Sequence, residues 1–203
     1  MSDLTGKTAV VTGAASGIGL AMATLFAEKG MNVVMTDIEA AALSAAADNL
    51  GHSVKNSLGN KTSVIALAAD VASAEAMDEL AEQVYARFGS VQLLCNNAGV
   101  FASGASWECS DADYRWLLDV NVLGIANGIR SFVPRMIAQG DNCHVVNTAS
   151  MAGLTTMPFS SVYCMSKAAA LSLSECLYKE LQATAPQVGV SVLCPELINT
   201  GID

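Results

Sequence analysis

A three-layer α/β architecture, with helices on both faces of a mostly parallel sheet, is what this sequence predicts, and two observations predict it. Short Val-rich apolar runs alternate with longer Ala-rich stretches of helical period, the pattern of successive βαβ units. Of 203 residues, 52% are hydrophobic and only 14% charged, which suits strands buried on both faces better than it suits disorder. The length fits one domain spanning residues 1–203.

Strands are expected over Thr8 to Thr12, Asn32 to Asp37, Ser63 to Asp70, Val91 to Asn96, His144 to Thr148 and Val190 to Cys194. Helical period covers Ile18 to Lys29, Glu39 to Leu50, Ala74 to Phe88, Asp111 to Ala138 and Val162 to Ala183, with Gly30, Gly51, Gly89 and Gly140 where helices should stop. The segment Ser53 to Thr62 has no apolar period and is rich in Asn, Ser and Gly, so it reads as a solvated loop. No repeat or low-complexity stretch interrupts the alternation.

Composition excludes several classes of function. Nineteen acidic against ten basic side chains give a net charge of -9, a surface that repels nucleic-acid backbones and anionic lipid. No apolar run reaches the roughly 18 residues of a membrane span, and the start Met1-Ser2-Asp3 lacks an export signal, so a cytoplasmic protein is expected. Cys95, Cys109, Cys143, Cys164, Cys176 and Cys194 form no CxxC pair and are read as reduced, buried small hydrophobes. His52 falls in a polar stretch and His144 opens a strand, which leaves too few ligands for a catalytic metal site.

The chemistry begins at the first strand, which runs into Gly13-Ala14-Ala15-Ser16-Gly17-Ile18-Gly19 and straight on into a helix. Glycines there allow a pyrophosphate to lie against main-chain N–H groups at the positive helix N-terminus. The glycines alone discriminate little, since a tight turn serving only helix-sheet packing needs them too; the strand before and the helix after carry the weight. Asp37 closes the second strand, where a dinucleotide fold places a carboxylate on the adenosine ribose hydroxyls. A 2'-phosphate would meet that carboxylate as a like charge, with no Arg or Lys nearby to offset it, so NAD is favoured over NADP. The competing reading makes Asp37 a helix N-cap, and the two roles are compatible.

Ser150 follows the fifth strand, while Tyr163 and Lys167 stand four apart at the start of the next helix and so share one face. A tyrosine titrates near 10, and bringing it three units down needs roughly 4 kcal/mol of phenolate stabilisation, for which a nearby ammonium is a source. Tyr163 would then exchange a proton with a substrate oxygen that Ser150 hydrogen-bonds. Tyr and Lys four apart on a helix are commonly structural, so the neighbouring motifs decide the matter.

Together these residues resemble the short-chain dehydrogenase/reductase family, whose marks stand here in chain order: Thr12 to Gly19, Asp70, Asn96-Asn97-Ala98-Gly99, Asn121, Ser150, Tyr163 and Lys167. The resemblance implies a doubly wound Rossmann-type fold with strand order 3-2-1-4-5-6, and an NAD(H)-dependent enzyme interconverting an alcohol and a ketone or aldehyde. It implies that Gly13, Ser16, Gly17, Ile18, Gly19, Asp37, Asn97, Ala98, Gly99, Tyr163, Lys167, Pro195 and Thr200 bind the cofactor, with Asp70 and Val71 bracketing the adenine and Ile18 flanking the nicotinamide. It further implies that Asn121 holds a water through its main chain in a relay from Lys167, and that the chain forms a homodimer or homotetramer. The YxxxK spacing favours carbonyl chemistry over the double-bond reduction of related enoyl reductases. Two departures stand out: Glu196 replaces the usual glycine after Pro195, and the sequence stops at Asp203, before the family's substrate-covering segment and seventh strand, which suggests a longer natural protein. A non-catalytic NAD-binding sensor or scaffold, and an epimerase or dehydratase on the same fold, are the alternatives. The expected substrate is a small alcohol or carbonyl compound, weakly hinted to be hydrophobic by Ala102 to Trp107 and Met151 to Phe159.

Overall fold

A computed structural model describes residues 4–58, 62–196 and 198. The six strands, β1 (Thr8–Thr12), β2 (Asn32–Thr36), β3 (Val64–Ala66), β4 (Leu93–Asn96), β5 (Cys143–Thr148) and β6 (Val188–Leu193), form one sheet in the order β3-β2-β1-β4-β5-β6. Every adjacent pair is parallel, as the βαβ alternation predicts.

All five residues of β1 are buried. Successive side chains of a strand point to opposite faces, so Val10 enters one core with Val34, Leu94 and Phe132, while Ala9 and Val11 enter the other with Ala23, Val33 and Leu43. Helices α1 (Gly17–Glu28) and α2 (Ala40–Leu58) cover the second face; α3 (Ala74–Phe88), α5 (Gly124–Gln139) and α6 (Ser161–Thr184) cover the first. Two apolar layers therefore sandwich the sheet, which is why its strands read as continuous hydrophobic runs.

Four expectations are corrected. Helix α2 continues to Leu58 instead of stopping near Leu50, so residues 53–58 are helical and Gly51 is not a stop. The buried stripe Leu43, Ala47, Leu50 and Val54 keeps helical spacing through Gly51, and its burial outweighs the weak helix propensity of the polar residues around it. Strand β3 is only three residues long, against the eight expected. The long helix expected from Asp111 to Ala138 is divided by a π-helical turn over Asp119–Leu123 between α4 (Asp111–Leu118) and α5. Gly30, Gly89 and Gly140 do end helices in the left-handed region, at φ of 83°, 74° and 76°. The cysteines are all free, but Cys176 is exposed and Cys109 and Cys194 are only partly buried, so the uniform burial expected of them holds only for Cys95, Cys143 and Cys164. Among the described residues, no helix is long and apolar enough to cross a membrane.

Candidate active site

The carboxyl ends of β1, β4 and β5 lie side by side, and the strand order reverses direction between β1 and β4, where an open parallel sheet leaves a crevice for a ligand. The residues picked out in the sequence gather along this edge.

At the end of β1, Thr12 joins the turn to the NNAG segment: its Oγ1 accepts from the N–H groups of Asn97 (2.8 Å) and Ala98 (2.9 Å). The Asn97 carboxamide donates back to the Thr12 carbonyl at 3.1 Å and accepts from the Thr148 hydroxyl at 3.1 Å. Asn97 thus ties the ends of three strands together. Beneath it runs a buried polar chain, Asn96 Nδ2 to Asn147 Oδ1 (2.9 Å) and Asn147 Nδ2 to Ser174 Oγ (2.9 Å), which fixes β4, β5 and α6 relative to one another.

The glycine turn is as tight as the sequence requires. Gly13 has φ +64°, and a Cβ on it would lie 2.8 Å from the Ala98 Cα; a Cβ on Gly19 would collide with the Gly13 carbonyl oxygen. Ser16 caps α1 with extended backbone and no side-chain cap bond, and Ser16 and Gly17 are exposed. The first-turn N–H groups of Gly17, Ile18 and Gly19 have no intrahelical acceptor, so an anion can dock there. Neither glycine can take a side chain without moving the turn, and the exposed Gly17, at φ 53°, leaves the start of α1 open to a phosphate, so the residues present fit a dinucleotide.

Asp37 is tied to backbone N–H groups on two sides. One carboxylate oxygen accepts from the Ala15 N–H in the glycine turn (3.0 Å), and the other from the Glu39 N–H at the start of α2 (3.1 Å). The side chain therefore stands against the turn, half-buried, with lone pairs left for hydroxyl donors. Asp70 accepts from the Ala72 N–H at 2.9 Å in the turn leading to α3. Val71 is buried, with its γ carbon against Gly124 and its carbonyl accepting from Asn127 Nδ2 at 2.9 Å. Pro195 lies beside Ser150, its carbonyl accepting from the Met151 N–H at 3.0 Å, and Glu196 is exposed. Thr200 lies outside the described residues.

Ser150, Tyr163 and Lys167 converge next to this edge. Ser150 caps a short 3₁₀ turn, Met151–Gly153, accepting from the Ala152 N–H at 3.1 Å; its hydroxyl donates to the Pro195 carbonyl at 3.5 Å and lies near enough to the Tyr163 phenol to lower its titration. Lys167, 2% exposed, donates from Nζ to the Thr148 carbonyl at 3.1 Å and stands 5.7 Å from the Tyr163 ring centroid. Burial sets the titration of both groups. It pushes the Tyr163 phenol above its ordinary value, against the lowering effect of Ser150, and it brings the Lys167 ammonium from 10.5 down to about 8. The expected depression of Tyr163 by the ammonium is therefore not what the protein alone provides, because desolvation disfavours the charged form of each.

Asn121 occupies the π-helical turn and is fully buried. Its Oδ1 accepts from the Val100 N–H (2.8 Å), and its Nδ2 donates to the Val100 carbonyl (2.9 Å) and to Ser166 Oγ (3.0 Å). Ser166 in turn donates to the Tyr163 carbonyl at 2.8 Å. A Cβ on Gly99 would lie 3.2 Å from both Asn121 Oδ1 and Lys167 Nζ, so Gly99 lets these two side chains approach. Sequence reasoning missed Ser166, the Thr12 hydroxyl and the Thr148 carbonyl; nothing in a small polar residue on an apolar helix, or in a main-chain oxygen, signals such a role.

Comparison with known proteins agrees with this arrangement. Residues 7–203 match the short chain dehydrogenase family. The chain is 37% identical over 196 residues to a 1-deoxy-11-beta-hydroxypentalenate dehydrogenase of Streptomyces avermitilis, covering 96% of this chain and 69% of that protein. It is 30% identical over 202 residues to a CLA biosynthesis dehydrogenase/reductase of Lactiplantibacillus plantarum, covering 100% and 68%. A crystal structure of a short-chain dehydrogenase/reductase from Burkholderia phymatum in complex with NAD superposes with a TM-score of 0.93 at 42% identity, covering 100% of this chain and 69% of that one. The matching length, the strand order and the Ser150, Tyr163 and Lys167 cluster beside a glycine turn place this chain in the short-chain dehydrogenase/reductase family.

Proposed function

We propose that the protein interconverts a secondary or primary alcohol and its carbonyl compound using NAD(H), with Tyr163 as the proton-exchanging acid and base. Oxidoreductase chemistry between an alcohol and a carbonyl follows from membership of the family. The observation that carries the residue assignment is the meeting of Ser150, Tyr163 and Lys167 beside the glycine turn. The dinucleotide, when bound, supplies the hydride acceptor or donor.

The chain's own residues supply the rest. Gly13, Ser16, Gly17, Ile18 and Gly19 seat the pyrophosphate; Asp37 receives the adenosine ribose hydroxyls, which supports NAD over NADP. Asp70, Val71, Asn97, Ala98, Gly99, Pro195 and Thr200 complete the cofactor-binding set. Ser150 holds the substrate oxygen next to the Tyr163 hydroxyl, and Lys167 keeps positive charge beside the phenol. The Asn121 side chain is fully engaged with Val100 and Ser166, so a relay through this residue runs through its main chain, in the π-helical turn. A buried phenol that titrates high is a proton donor at neutral pH, so carbonyl reduction is favoured there and alcohol oxidation accelerates as pH rises. A cytoplasmic homodimer or homotetramer is the form in which we expect the enzyme to work.

The test follows NADH absorbance with a panel of secondary alcohols and ketones, comparing the wild-type protein with Tyr163→Phe. The variant is expected to bind NAD nearly as well but to turn over at least a hundredfold more slowly, the low end of general acid–base contributions of about 10²–10⁴. Substantial residual turnover in the variant would assign the proton to another group, and NAD binding with no turnover on the whole panel would favour a sensor.

A further inference from the structure

We propose that Phe101 is a positioning residue for the reacting phenol, held in place by a strap, residues 100–104, that is fastened at both ends. The inference rests on the reading that Tyr163 exchanges the proton, and goes beyond it by naming what aims the ring.

Phe101 and Tyr163 meet in a T-shaped contact, with ring centroids 5.0 Å apart and planes at 74°. Tyr163 also has Lys167 near its ring, Ser150 near its hydroxyl, and a place in the apolar cluster of Leu117, Ala152 and Val162. A phenol rotates about two side-chain bonds, and a polar neighbour at the hydroxyl fixes only the oxygen; the edge contact restrains the ring plane. Phe101 thus adds the aromatic contact that sets the ring plane.

The strap explains why Phe101 stays there. At one end, the Asn121 carboxamide grips the Val100 N–H and carbonyl together, as a neighbouring strand would. At the other, Gly104 pairs with Ser160 in an isolated parallel bridge, and its N–H donates to the Phe159 carbonyl at 2.8 Å. Phe159 has φ +61°, a left-handed conformation rare outside glycine and costing of the order of 1–3 kcal/mol. That strain sits at the fastening that joins the strap to the first turn of α6, four residues before Tyr163, which with Cys164 enters the cluster around Leu117 and Val162. Hydrogen bonds thus join the strap to the π-helical turn through Asn121 and to the entrance of α6 through Gly104, with Phe101 between the two.

Phe101→Leu keeps apolar bulk and removes the ring; Phe101→Tyr keeps the ring. Two measurements are made on each: kcat with the Michaelis constant for NAD, and spectrophotometric titration of the Tyr163 phenol in the dinucleotide-free protein, isolated by subtracting the curve of the same protein carrying Tyr163→Phe as well. The expected result for Phe101→Leu is a kcat lowered roughly three- to tenfold, as an aromatic pair of this kind is worth, with the NAD constant unchanged and the Tyr163 titration moved down toward its ordinary value as water reaches the ring. Phe101→Tyr should restore both. Wild-type kcat or wild-type titration in a folded Phe101→Leu protein overturns the proposal, as does failure of Phe101→Tyr to restore them; Phe101→Met replaces the leucine variant if that one does not fold. Because the titration needs no substrate, it reads the positioning role even where the proposed reaction fails.

Discussion

Replacing Lys167 by methionine should make the dinucleotide-free protein more stable while destroying its activity. The Lys167 side chain is 2% exposed, its Nζ donates to the Thr148 carbonyl, and burial brings its titration from 10.5 to about 8. A fall of that size corresponds to about 3 kcal/mol by which the folded protein disfavours the ammonium relative to water. Methionine matches the length and apolar stem and removes the charge, at the loss of one hydrogen bond worth about 1 kcal/mol. The net gain at pH 7 is about 2 kcal/mol, or a rise of roughly 4–8 °C in midpoint for a domain of this size. The sign fixes the pH dependence. Below about 8 the lysine is protonated in both states, and the folded state bears the full cost. Between about 8 and 10.5 the unfolded chain holds more protons, so wild-type stability rises with pH relative to the variant. Thermal or urea unfolding of both proteins without dinucleotide, at several pH values from 7 to 10, measures the gap. A variant no more stable than wild type at pH 7, or a gap that does not narrow with rising pH, would refute the reasoning. The expected outcome is the usual conflict in which a strained buried group is kept for its function.

Two further outcomes follow from the cofactor side of the site. Gly19→Ala should weaken NAD binding by more than tenfold and lower the midpoint, because its Cβ meets the Gly13 carbonyl oxygen and the turn must move; calorimetric titration beside a melting curve checks this, and near-wild-type affinity would show that the turn yields easily. Asp37→Ala should weaken NAD(H) far more than NADP(H), since the like charge facing a 2'-phosphate disappears along with the ribose acceptor; steady-state constants for both cofactors decide it, and an unchanged preference removes the basis for choosing NAD.

Much of this protein was legible from local patterns, because those patterns have local causes. Strand β1 and helix α3 match the expected bounds of Thr8 to Thr12 and Ala74 to Phe88, each delimited by nearby signals: the glycine turn after Thr12, the Ser73 cap accepting from Ala76, and Gly89 in the left-handed region. The Tyr163 and Lys167 pair was visible because four residues is close to one helical turn. Helix α2 beyond Gly51 was not legible, because what extends it is Val54 packed in the core under β2 and β3, a contact no short window contains. The π-helical turn at Asn121 was hidden for the same reason: its side chain is satisfied by Val100 and Ser166, which are distant in sequence. The titration of Tyr163 was expected to follow its charged neighbour, but burial decided it, and burial is a property of the assembled chain. Sequence by itself determined which elements form and which side chains gather at the candidate site, since spacing and turn residues act over a few bonds. Tertiary structure alone decided how far those elements run, how Phe101 is brought onto Tyr163, and how costly the Lys167 charge is, because these depend on what packs around each group.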